Sequence, residues 1–255
     1  MRILACLCLA GVLAACVADA PRRPAPEAPA PAAAAPANSV AMPLLAALRV
    51  AAPDADPAVL GLALRARQCA LAHGDATAST RLAVIDYSRP STHRRLWVFD
   101  LQQQPRLLFA EFVAHGRGSG DNLATRFSNA DGSLQSSLGL FATAETYMGE
   151  HGYSLRMDGL EPGINDHARD RAIVMHGAWY VDPKLATSQG RLGRSHGCPA
   201  VREGIARPMI DALRNGQLLF AYYPDREWLA RSRFLACATT PAAAEPIAIL
   251  HVPPR

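Results

Sequence analysis

One histidine and one cysteine carry the first chemistry this sequence offers. His176-Gly177 ends the run Arg171-Ala172-Ile173-Val174-Met175, whose residue types predict a strand. Cys198 stands in Arg194-Ser195-His196-Gly197-Cys198-Pro199-Ala200-Val201-Arg202, with Ser195 at 18 positions beyond Gly177. A thiol at its ordinary pKa of about 8.5 is only slightly ionised at neutral pH. An adjacent imidazole makes a thiolate–imidazolium pair of it and raises its nucleophilicity. A strand-end His and a Cys in a glycine-flanked surface turn can bring those two side chains together. Gly197 lets the backbone approach a substrate carbonyl closely. Pro199 keeps Cys198 out of helical geometry and contributes no N–H. The oxyanion donors expected are therefore the N–H groups of Gly197 and Cys198.

Positioning such a pair takes a folded core, and the pattern before residue 176 supplies one. Pro43 to Val50 and Pro57 to Ala72 carry helical spacing; in the second, Asp56 can cap, Pro57 suits the first turn and Gly74 ends the helix. From Arg81 the period shortens. Residues 82–87, 95–101 and 107–113 are runs of strand-formers separated by Ser-Arg-Pro-Ser and Gln-Gln-Gln-Pro turns, which predicts an antiparallel meander. Further strands are expected at 139–143, 153–157, 171–176 and 218–223, with helices returning at 205–214 and 225–237. The prediction is one mostly-β domain, a sandwich or barrel with flanking helices at both ends, over residues 38–255. Glycines cluster at Gly116, Gly118, Gly120, Gly132 and Gly139, but no strand-then-helix frame and no GKS or GKT accompanies them, so turns around a cleft replace a phosphate loop.

The N-terminus predicts an address. Met1-Arg2 and the apolar run to Ala15 outline a signal peptide over residues 1–15. Leu13-Ala14-Ala15-Cys16 has the form of a bacterial lipobox, with Cys16 lipidated; Ala18-Asp19-Ala20 is a competing cleavage site, weakened by Pro21. Val17 after the Cys points to anchoring in the outer membrane from the periplasmic side. Residues 16–37 form the tether: 16 of the 21 residues from Val17 to Ala37 are Ala or Pro, which favours an extended chain. In an oxidising compartment Cys69, Cys198 and Cys237 remain, an odd number. Cys69 and Cys237 are expected to pair and leave Cys198 free, two buried thiols being the alternative. A net charge of +4 with Arg scattered among acids excludes a nucleic-acid stripe. No apolar run is long enough for a membrane-spanning helix.

The combination His176-Gly177, then Ser195-His196-Gly197-Cys198, resembles the signature of the L,D-transpeptidase catalytic domain (YkuD-like) family. Ser137-Leu138-Gly139-Leu140-Phe141 is similar to an upstream element of that family, and the likeness spans residues 80 to 223. It is closest to the murein L,D-transpeptidase branch, on Val113-Ala114-His115-Gly116-Arg117-Gly118-Ser119-Gly120 and the cysteine segment. One departure is visible: the family pattern has Arg or Asn two residues after the Cys, whereas Ala200 and Val201 precede Arg202 here.

The resemblance implies a β-rich fold and thioester chemistry on peptidoglycan stem peptides, with Cys198 as nucleophile and His176 as general base. Cys198 would attack the carbonyl of diaminopimelate at position three and expel the terminal D-Ala, and an amine of a neighbouring stem would resolve the acyl-enzyme into a 3→3 cross-link. It also implies sensitivity to carbapenems. His196 carries over as the motif's own His, shaping the turn or, alternatively, acting as base; Ser195 makes turn hydrogen bonds or touches substrate. Arg191, Arg194 and Arg202 crowd the nucleophile as candidate binders of stem-peptide carboxylates, or as a solvated basic loop. His115 is a candidate for the same cleft. His176, His196 and Cys198 lack an acidic partner at a metallopeptidase spacing, so neither metal nor cofactor is expected. An L,D-carboxypeptidase or amidase resolving the same thioester with water, and a non-catalytic wall-binding lipoprotein, are the competing functions.

Overall fold

A computed structural model describes residues 37–76 and 79–237; the predicted signal peptide, Cys16 and the tether through Pro36 lie outside them. Two helices come first, α1 (Ala37–Ala51) and α2 (Pro57–Ala72). Asp56 caps α2 by accepting from the Ala58 N–H at 2.7 Å, and Pro57 takes the first turn, where no N–H is needed. Val59, Leu60, Ala63, Leu64, Ala66 and Ala70 are buried, so one stripe of α2 faces the sheet at β1 (Arg81–Asp86) and β8 (Leu218–Tyr222).

The strands form one eight-stranded sheet in the order β3-β2-β1-β8-β4-β5-β6-β7. The predicted meander is β1, β2 (Leu96–Asp100) and β3 (Arg106–Glu111), all antiparallel. β8 returns parallel to β1, and every residue of the pair from Leu82 to Asp86 and from Leu218 to Ala221 is buried. Such apolar runs without alternation mark strands covered on both faces. α2 lies on one side, and α4 (Glu203–Leu213) presents Ala206, Met209, Ile210 and Leu213 to β1, β5 and β6. The edges of the sheet approach each other. The Ala114 N–H, just past β3, donates to the Ala200 carbonyl of β7 (Ala200–Val201) at 2.8 Å, and Glu111 pairs with Arg202. This bond makes the sheet a nearly closed barrel, mostly β with helices at both ends.

Four of the observed elements differ from the predicted ones. β4 (Gly139–Gly149) is longer than expected and pairs with β5 (Gly152–Gly159) as a protruding hairpin. Residues 171–173 are not strand: Ala172 adopts φ 53°, and β6 is only Val174–Gly177. α3 (Pro183–Gln189) was legible but not predicted, since Asp182 caps the Lys184 N–H at 2.8 Å, Pro183 opens the first turn and Gly190 closes it at φ 71°. The last helix, α5 (Arg226–Arg231), stops short of the expected 237. Cys69 and Cys237 are joined in a disulfide that fastens the residues after α5 onto α2. His73, one turn along from Cys69, lies beside both sulfurs, with Nδ1 at 3.5 and 3.7 Å.

Candidate active site

Register places the pair. β6 and β7 run parallel with His176 level with Ala200. Cys198 precedes β7 by two residues, and Val174, two residues before His176, donates its N–H to Sγ at 3.4 Å. His176 therefore lies two residues, about 7 Å of strand, further along the same face of β6. Cys198 is the free thiol among the described residues. Contrary to the expected surface turn, it is 8% exposed, and Sγ also meets the Ala172 carbonyl at 3.6 Å. The left-handed Ala172, strained for a residue with a Cβ, turns that carbonyl onto the thiol.

Burial governs both ionisations. It pushes the Cys198 thiol up, against the opposing pull of the Val174 N–H and the Arg171 guanidinium. It pushes the His176 imidazole down, aided by the neighbouring His151 and opposed by the Gly177 carbonyl. Burial thus opposes both charges of the expected thiolate–imidazolium pair, because neither is well hydrated there. His176 is 2% exposed and its Nδ1 lies 2.9 Å from the Gly177 carbonyl. A carbonyl only accepts, so Nδ1 carries the proton and Nε2 keeps the lone pair a base requires.

The cysteine turn is tied down by serines. Ser195 Oγ donates to the Cys198 carbonyl at 2.7 Å and accepts the Gly197 N–H at 3.1 Å. The Gly197 N–H is thereby occupied inside the turn, which removes it from the expected oxyanion pair; the Cys198 N–H is the member left for that role. Ser136, which the sequence reading missed, accepts the Gly116 N–H and donates to the Gly197 carbonyl, both at 3.0 Å. Two glycines make this contact possible. Gly197 has φ 131°, and a Cβ there would press Ile173 and the Gln135 carbonyl. A Cβ on Gly116 would collide with the Leu134 carbonyl and stand 2.9 Å from Gly197 Cα. Arg171, also missed, pins the adjacent loop by donating to the Ser128 and Gln135 carbonyls at 2.7 Å and to Ser137 Oγ at 2.6 Å.

The remaining predicted residues scatter. His196 is exposed on the turn, unlike buried His176. His115 lines no open cleft: it is 1% exposed, its Nδ1 accepts from Arg95 at 2.7 Å, and burial beside that guanidinium lowers its pKa to about 3. It is a neutral brace for the residues that pair with Ser195, whose N–H donates to the His115 carbonyl at 3.0 Å. Arg202 is held bidentate by Glu111 at 2.5 and 2.9 Å, which occupies the fork predicted for a substrate carboxylate. Arg194 pairs with Asp121 at 2.8 Å, and Arg191 lies 3.9 Å from the same carboxylate. Exposed Trp179 and half-buried Tyr180 follow His176 by three and four residues; neither was singled out by the sequence, for lack of a spacing signal. Among the described residues, Cys69, His73 and Cys237 are the side chains grouped like metal ligands, and the disulfide engages both sulfurs.

A model of the L,D-transpeptidase catalytic domain family matches residues 51–222, which include every element from α2 to β8. Among solved structures, an L,D-transpeptidase from Mycobacterium smegmatis is 15% identical, covering 57% of this chain and 60% of its own, with a TM-score of 0.35. L,D-transpeptidase 1 from Mycobacterium tuberculosis is 13% identical, covering 57% and 63%, at 0.33. The helical cell shape determining protein Pgp2 from Campylobacter jejuni is 13% identical, covering 63% and 55%, at 0.40. The chain thus spans about three fifths of the length of these structures. A comparison with curated proteins finds no match.

Proposed function

Because the chain belongs to the L,D-transpeptidase catalytic domain family, we propose that it is a peptidoglycan L,D-transpeptidase working through a Cys198 thioester. The observation that carries this reading is the β6–β7 frame, which sets His176 two residues along from Val174, the residue whose N–H meets Cys198 Sγ, with the Nδ1 proton directed at the Gly177 carbonyl. Sγ leaves the Ala172 carbonyl by rotation about χ1 and surrenders its proton to His176 Nε2 as it attacks a stem-peptide carbonyl. The Cys198 N–H faces the developing oxyanion. The tetrahedral adduct collapses with cleavage of the bond to the terminal D-Ala, whose amine takes the proton from His176. An acceptor amine from a neighbouring stem then attacks the thioester, His176 takes its proton, and the thiol is regenerated with a 3→3 link formed.

Muropeptides incubated with the purified protein and weighed by mass spectrometry test the reading. Cross-linked dimers support it; shortened monomers replace it with a carboxypeptidase, and unchanged substrate removes the catalytic assignment. Periplasmic residence with a lipid on Cys16 is part of the proposal. Cys16→Ser is then expected to accumulate precursor or leave the membrane fraction, and unchanged lipid-free protein would favour ordinary secretion.

A further inference from the structure

His176 is oriented through one hydrogen bond, from Nδ1 to the carbonyl of its own neighbour Gly177. Among the described residues no carboxylate is bonded to the ring, and one bond along one edge leaves an imidazole free to rock about it. The face of the ring is covered from elsewhere. His151 lies parallel to it, centroids 4.4 Å apart and planes 21° from each other. His151 comes from the tip of the β4–β5 hairpin, where Gly149 pairs with Gly152 across Glu150 and His151, and Gly152 adopts φ 73°. That is the geometry of a turn followed by a left-handed residue, and only the glycine position is demanding. The turn therefore does not dictate a histidine at 151, nor that its ring lie back on the sheet. Register fixes the approach, because Ser154, two residues beyond Gly152, is paired with His176.

We propose that His151 is a positioning residue for the general base, stacking on His176 and holding Nε2 toward the path of the Cys198 thiol. The inference rests on the catalytic reading of His176 given above. Imidazole stacking restricts the one rotation that the Gly177 bond leaves open, and small losses of alignment are costly in proton transfer.

The test compares His151→Ala and His151→Phe with the wild-type chain, reading the second-order rate of carbapenem acylation by intact mass. His151→Ala is expected to slow acylation on the order of tenfold, while His151→Phe, which keeps a ring, restores it to within about threefold. In the wild type, the His176 ring protons are expected to show a ring-current shift in the NMR spectrum that His151→Ala removes and His151→Phe retains. That signature reports the stack whether or not a variant loses stability. Equal rates in wild type and His151→Ala would overturn the proposal, as would a His151→Phe as slow as Ala. A wild type that takes no acyl group at all, with its ring-current shift intact, overturns the catalytic reading and this role with it.

Discussion

Two regions of the molecule are fastened in opposite ways. The cysteine turn is stitched to the loop at 116–137 by small polar side chains, with Ser136 and Ser195 bridging backbone groups over distances of 2.7 to 3.1 Å. The far side, where α2 receives the residues after α5, is fastened by apolar burial of Leu60, Ala63 and Phe234 and by the Cys69–Cys237 bond. Hydrogen bonds between serines and backbone specify position steeply but contribute little net energy each. A covalent closure of 168 residues acts mainly by restricting the unfolded chain and demands little of the local geometry. Changes in the first region should therefore register in activity, and changes in the second in stability.

The largest expected separation is at His176. His176→Ala should lower the rate of acyl transfer by about 10² to 10⁴ with little change in the thermal midpoint, whereas His196→Ala, on the exposed outside of the turn, should change the rate far less. Rates measured on both variants decide the order, and the reverse order would transfer the base to His196. Next comes the opposite case. Cys69→Ser should cost about 2–4 kcal/mol of unfolding free energy while leaving acylation of the folded protein within twofold or so; denaturant titration beside an activity assay reads both. Ser136→Ala breaks the separation on purpose. It leaves the Gly116 N–H and the Gly197 carbonyl buried without their bridge, so it should cost about 1–3 kcal/mol and slow acylation as well. Stability loss without a rate effect would show that the serine only supports the fold. The mildest test is a pH profile. Burial raises the Cys198 pKa, so thiolate disappears as pH falls from a point above the ordinary thiol range. Alkylation by iodoacetamide should therefore still be rising where a free thiol has levelled off, and a plateau reaching to lower pH would restore the thiolate–imidazolium pair.

The same contrast explains how much was legible in the sequence. The meander, α2 and its Asp56 cap, and β8 followed from residue types, because a buried strand or a capped helix is written in contiguous residues. The sequence left the Cys69–Cys237 pairing open beside two buried thiols, and the disulfide decides it. The serine stitching was not, since Ser136 and Gly197 meet across 61 positions and serine carries no periodic signal. The partners of Arg202 and His115 were hidden for a related reason. An Arg near a nucleophile and a His in a glycine-rich loop announce recognition, but Glu111 and Arg95, distant in sequence, had already claimed them. The Gly197 N–H failed as an oxyanion donor through Ser195, two residues away, because the motif names the residues without saying where the hydroxyl turns. His151 gave no signal at all. Its place opposite His176 depends on the length of β4 and the register of β5, both of which exceeded what the strand-former runs predicted.

The central claim is that Cys198 is acylated and that His176 takes its proton. A β-lactam is a strained amide that an acylating thiol opens, so intact-mass analysis after carbapenem addition tests the claim most directly. A single covalent adduct is expected on the wild type, absent from Cys198→Ala and slowed in His176→Ala, with Cys198→Ala still folded because trimming one buried sulfur costs only about 1 kcal/mol. An adduct that persists in folded Cys198→Ala would place the nucleophile elsewhere and contradict the account.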